Sequence, residues 1–361
     1  INTLKNFYNT KIIPKAEKEL RNHKIKFVGI EKESKNIHLK NITIFNFFKP
    51  CYFNHERISE IKLFINKLKI KKDDIILCLG SNNIAACENL DAIKIALLED
   101  IQDQVQLYRT YLSINKYNFL KKTIKLLMLK VYFSKYHNWL KKITNNYDLI
   151  YTYSPFDYSK IKNKINLSIL PCPLDLKNFK KKKKKIFNIS MFSSSITQDF
   201  NGVRLLHQKL LPNLKKNGLI NLVKLNLVMN IPKKIPIDIS KILSDKDIHV
   251  VEFNKKILDD TDLLFYPTKY PVGVRSKILH AFSRSWFVAT STTIKKCIPE
   301  LEDDVNCLMS NNLDILIDKI MYLIKNRKQK NYLLKNGEKV LNNYLPYKSA
   351  QKIFNDLEKI I

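Results

Sequence analysis

No stretch of this 361-residue chain comes near the roughly 18–20 consecutive uncharged apolar residues that a membrane-spanning helix needs. The start lacks the charged, apolar and small-residue regions of a signal peptide. Its six cysteines form no Cys-x-x-Cys pair and no His-Cys cluster, which argues against a zinc site. Scattered through a chain of this size, they fit reduced, buried thiols of a cytoplasmic protein. Arginine is also scarce, at seven of the 64 basic residues. The net charge of +31 therefore comes almost wholly from lysine, while glycine and alanine are rare and asparagine and isoleucine abound. That bias is what an AT-rich coding sequence produces. Arginine, the better residue for bidentate phosphate and base contacts, has not been enriched, so the charge is read as a solvated surface rather than a specific nucleic-acid interface. It still makes a field that favours nucleotide diphosphates and anionic lipid surfaces.

No internal repeat is present. The first half alternates strand-like and helix-like runs: a helix over 12–24, strands over 25–30 and 41–48, an amphipathic helix over 57–70, and strands over 73–81, 92–100, 147–155 and 165–175. Nothing at the start supplies a strand and glycine-rich loop ahead of the helix at Ile12, and the chain opens on Ile1 rather than Met, which predicts that the first residues are missing. Pro171 and Pro173 stiffen an exit, and the self-repelling run of lysines over 180–185 reads as a solvent-exposed linker. Beyond it the alternation resumes, with a strand over 186–195, a helix over 201–216, strands over 223–230 and 247–253, and three helices over 312–361. Alternation of this kind predicts doubly wound parallel-sheet α/β domains. The expected division is a first domain over 1–175, a second over 186–340, and a C-terminal helix over 341–361 that crosses back.

The segment from Asp262 to Asn306 is the most informative. It reads as a buried strand (263–266), a loop with Pro and Gly (267–274), a short helix (about 275–284) and a second buried strand (286–290). In open parallel sheets, ligands sit beyond the carboxyl ends of strands, over a helix N-terminus. Gly273, Arg275 and Lys277 cluster there, and a helix N-terminus flanked by cations suits a phosphate group.

With PVGVRSKILHAFSRSWFVAT, then IPEL and DDVNCLM, this segment resembles the donor-binding signature of family 4-type glycosyltransferases. YDLIYTYSP, ILPCPLD and LLED resemble stretches of the same family's first half more loosely. The resemblance implies a GT-B fold, with two Rossmann-like domains facing across a cleft. It also implies a nucleotide-sugar donor, a saccharide or lipid-linked acceptor, and retaining chemistry with no metal and no cofactor beyond the co-substrate. Arg275 and Lys277 would then hold the diphosphate as charge develops on the leaving group.

Ser193, Ser194 and Ser195 close the first strand of the second domain, where hydroxyls and amides can cradle a phosphate or sugar hydroxyl. The plainer reading is a polar loop with Asn201 capping the following helix. The family often carries a cation near this loop, and here the nearest is Arg204. Two glutamates of better-known members fall on Val272 and His280. His280 is left to bond a donor ribose hydroxyl, or to be an ordinary surface histidine. Across the cleft, Glu99, Asp100 and Asp103 end a strand; Asp100 would orient or deprotonate an acceptor hydroxyl, or the group simply favours a helix N-terminus.

From Gln104 to Tyr147 there is no acidic residue, whereas Arg109 and eight lysines recur among apolar and aromatic side chains. This composition fits peripheral contact with an anionic membrane at its cytoplasmic face, or a helix packing its apolar side on the sheet. The functional expectation is a glycosyltransferase of cell-envelope polysaccharide or glycolipid synthesis. The alternatives are a catalytically degenerate binding protein of the same fold and a charge-driven binder of nucleic acid or anionic lipid.

Overall fold

A computed structural model describes residues 55–98, 119–161, 166–174, 186–193, 197–230, 235–328 and 330–361. The helix and strands expected over 12–48 lie outside these residues.

The first lobe contains α1 (His55–Ile65), β1 (Ile75–Leu79), α2 (Gly80–Cys87), β2 (Ile93–Leu98), α3 (Phe119–Asn146), β3 (Leu149–Thr152), α4 (Pro155–Ile161) and β4 (Leu167–Ile169). Its four strands pair in parallel in the order β1-β2-β3-β4. Helix α1 stops five residues short of its expected end. Past Ile65 the bonds tighten to i→i+3, with Lys67 N on Phe64 O (3.0 Å) and Leu68 N on Ile65 O (2.8 Å), and the chain turns toward β1.

The second lobe runs through β5 (Phe187–Ser193), α5 (Thr197–Leu205), a π-helical turn (Leu206–Leu210), α6 (Leu211–Lys216), β6 (Val223–Met229), α7 (Ile237–Leu243), β7 (Ile248–Val251), α8 (Lys255–Asp260), β8 (Leu263–Tyr266), α9 (Ser276–Ser283), β9 (Phe287–Thr290), β10 (Leu308–Met309), α10 (Leu313–Lys325) and α11 (Tyr332–Val340). Its strands are all parallel in the order β10-β9-β8-β5-β6-β7. The chain enters at β5, builds outward to β7, then returns to β8 on the other side. The crevice between β5 and β8 is therefore the topological switch point, where open α/β sheets place ligands.

Both faces of this sheet are covered, so β5 and β8 read as continuous buried runs. Ile189, Met191, Leu225 and Leu227 pack with α5, α6 and α10, while Phe192, Val228, Leu264 and Val288 pack with α9. Helix α9 buries Ile278, Leu279, Ala281 and Phe282 on that side. Each of its larger apolar side chains is worth about 1.5–3 kcal/mol, which anchors the helix by its inner face.

Helix α12 (Pro346–Leu357) returns to the first lobe, where Ile353 and Leu357 pack on Ile95, Leu97, Leu149 and Tyr151. Tyr151 Oη donates to Asp356 at 3.0 Å, and Ser349 Oγ donates to the Pro171 carbonyl at 2.6 Å. Leu174 N bonds Tyr344 O at 3.3 Å, so the two chain crossings between lobes lie side by side.

Candidate active site

Strand β8 delivers the chain to the top of the sheet at Tyr266, and β9 delivers Thr290 beside it, whose hydroxyl donates to the Tyr266 carbonyl at 2.8 Å. The loop then runs from Pro267 to α9. Gly273 has φ 60°, the left-handed conformation that glycine adopts without strain, and this turns the loop into the helix. Arg275 is the N-cap residue of α9 and folds its guanidinium back to donate to the Tyr270 carbonyl within the same loop.

Lys277 reaches the other way. Its Nζ donates to the carbonyl of Phe192 at 2.9 Å, at the end of β5, and lies 5.7 Å from the centroid of the Tyr266 ring at the end of β8. An ammonium group on the first turn of a helix thus sits over the switch-point crevice, one residue along the strand from Ser193. Helix dipole and side-chain charge have the same sign there, which favours an anionic ligand.

His280 lies one turn further along α9, on its exposed side. Local burial and the nearby Arg284 charge both lower its pKa, so the imidazole is neutral at pH 7 and able to accept a hydrogen bond. Val272 is buried and apolar.

Several expected site residues lie elsewhere. Asn201 does not cap its helix: α5 begins at Thr197, and Asn201 sits in its second turn. The chain Thr197-Gln198-Asp199 starts the helix earlier than the Asn-Gly pair predicts. Gly202 instead lets the helix approach the sheet; a Cβ there would lie 2.2 Å from Met191 Cε. Arg204 is engaged by Asp238 of α7, with which it pairs at 2.5 Å. Ser194, Ser195, Asp100, Glu99 and Asp103 lie outside the described residues.

One participant escaped the sequence reading. The backbone N–H of Gly273 donates to Asp157 Oδ2 at 3.0 Å, and Asp157 belongs to α4 of the first lobe. A Pro-x-Asp opening directly after a strand end was the only local signal, and it does not reveal a partner 116 residues away.

No family model matches the sequence, and no curated protein matches it. Solved structures do match in three dimensions. TarM of S. aureus aligns with a TM-score of 0.63 at 16% identity, covering 83% of this chain. The chain spans only 58% of TarM. A glycosyltransferase from Rickettsia africae aligns with a TM-score of 0.58 at 13% identity, covering 95% of this chain and 87% of its own. Anabaena HepE, solved with UDP and glucose, aligns at 0.59 and 12% identity, covering 95% of this chain and 88% of its own. The fold is GT-B. In this GT-B chain the parallel sheets form the two lobes, and the crevice beneath Lys277 belongs to the second.

Proposed function

We propose that this protein is a glycosyltransferase that moves a sugar from a nucleotide donor to a saccharide or lipid-linked acceptor, with retention and without a metal, in cell-envelope polysaccharide or glycolipid synthesis. The observation that carries the proposal is Lys277, fixed on the Phe192 carbonyl over the β5–β8 crevice. As the glycosidic bond breaks, negative charge grows on the departing diphosphate. Fixed cations and helix amides meet that charge without reorganising, and such preorganised electrostatics are where most catalysis arises.

Lys277 takes the diphosphate in this scheme, and Arg275 joins it by releasing the Tyr270 carbonyl. Gly273 and Ser193 are assigned to the donor side of the crevice, and Ser194, Ser195 and Asn201 are the further donor contacts of this reading. His280 accepts from a ribose hydroxyl, and Asp100 orients the acceptor hydroxyl. HepE bound to UDP and glucose lends support by fold alone.

Titration calorimetry with UDP, GDP and ADP tests the donor site. Wild type should bind at least one, and Arg275→Ala combined with Lys277→Ala should weaken that binding severely. Absence of binding by wild type, or an unaffected double variant, rejects the assignment.

A second reading, a binding protein of the same fold without turnover, is favoured by Val272, a buried aliphatic where the resemblance calls for a carboxylate. Slow hydrolysis of any nucleotide sugar would exclude it.

The site of action we assign is the cytoplasmic face of a membrane. No helix among the described residues is long and apolar enough to cross a bilayer. Helix α3, however, buries Tyr136 and Leu140 near its end and leaves Phe119, Leu120, Ile124 and Leu127 exposed near its start. A lysine-rich helix that exposes an apolar stripe suits the interface of an anionic bilayer.

A further inference from the structure

Asp157 is fully buried, and a carboxylate is costly to bury unless its bonds compensate. It stands in the first turn of α4, on the first lobe, and its Oδ2 receives the main-chain N–H of Gly273, two residues ahead of Arg275 and four ahead of Lys277. Phe156, its neighbour on α4, packs against the second-lobe cluster that contains Ile278, Leu279 and Phe282 of α9. An apolar seat and a buried hydrogen bond thus join one helix of the first lobe to the loop and helix that carry the candidate phosphate cations.

We propose that Asp157 is a positioning residue: it grips the donor loop from the opposite lobe and ties the placement of Arg275 and Lys277 to the seating of that loop on the first lobe. The contact falls on backbone rather than on a side chain, so it fixes the path of the loop. At Gly273 that path is a left-handed turn whose direction sets where α9 begins. Freed from the carboxylate, the loop from Pro267 to Arg275 would keep its cations but lose their aim. Small misplacements of charged groups cost large factors in binding and rate. This inference rests on the nucleotide-sugar reading of the site.

The test compares wild type, Asp157→Ala and Asp157→Asn in two assays. Hydrogen–deuterium exchange should show the 268–276 segment protected in wild type and exchanging about tenfold faster in the Ala variant. Titration with UDP, GDP and ADP should show about tenfold weaker binding of the active diphosphate by Ala. Asn, which keeps an acceptor oxygen, should restore most of both effects. A merely structural role would lower thermal stability without this rescue pattern in affinity. If Asp157→Ala does not fold, Asp157→Glu replaces it, because the longer stem displaces the carboxylate and the same losses are expected. If wild type binds a diphosphate and the variant binds it equally well, the donor reading stands and this inference falls. If wild type binds none of the three, both fall.

Discussion

Replacing Lys277 with methionine keeps the hydrocarbon stem over Tyr266 and removes the charge. A unit charge pair at 4 Å interacts by about 4 kcal/mol at the effective dielectric of a protein surface. Lys277 is half-buried and already held by the Phe192 carbonyl, so part of its desolvation is complete before ligand arrives. Sharing the ammonium with that carbonyl trims the gain, and a net loss of about 2–3 kcal/mol is expected on removal. This corresponds to about 30- to 150-fold weaker binding of a nucleoside diphosphate. Titration calorimetry should run the diphosphate and its parent nucleoside in parallel, at low and high salt. The diphosphate should lose affinity and most of its salt dependence, and the nucleoside should be unchanged. Equal losses for both ligands, or a change below about threefold for the diphosphate, would refute a phosphate role for Lys277.

Three further outcomes are expected. Gly337→Ala places a Cβ 2.6 Å from the buried Phe282 ring, whereas Gly202→Ala meets the flexible end of Met191. Urea unfolding should therefore show the first destabilised by up to about 2 kcal/mol after the gain in helix propensity, and the second less; the reverse order rejects this packing. Burial alone pushes the Asp304 carboxyl up, but Lys319 and Lys330 outweigh it and hold the group below the ordinary carboxylate range. Its contribution is present above the unfolded value and lost as pH falls through the lower folded one. Asp304→Asn, which tolerates the left-handed backbone there (φ 56°), should cost roughly 0.5–1 kcal/mol from pH 7 to 5, and the gap should close below about pH 4 in thermal melts. Finally, changing Leu120, Ile124 and Leu127 together to serine should reduce sedimentation with phosphatidylserine-containing vesicles and leave binding to neutral vesicles near background; unchanged sedimentation removes α3 from the membrane account.

The β8–loop–α9–β9 unit was legible because its signals are local. Four buried residues precede a Pro- and Gly-marked loop, and helical spacing puts Ile278, Ala281 and Phe282 on one side, as the structure places them. Boundaries were less legible. Asn201-Gly202 resembles a helix opening, yet tertiary packing of Gly202 on Met191 explains the glycine and the helix had already begun at Thr197. Arg204 stood at the right distance along the chain, but its direction depended on Asp238 of a later helix. The Asp157–Gly273 contact joins two lobes and follows no period, so no window of sequence contains it.

The return of α12 to the first lobe also orders events during synthesis. The second lobe is contiguous in sequence and is able to close on itself as soon as α11 emerges. The β2 and β3 residues Ile95, Leu97, Leu149 and Tyr151 wait for Ile353 and Leu357. At ribosomal speeds of about 5–20 residues per second, the contact between that face and α12 forms roughly 10–40 s after Tyr151 is made. The domain synthesised first is thus the one finished last, and a nascent chain halted before Pro346 would lack the Ile353 and Leu357 contacts that join its start to its end.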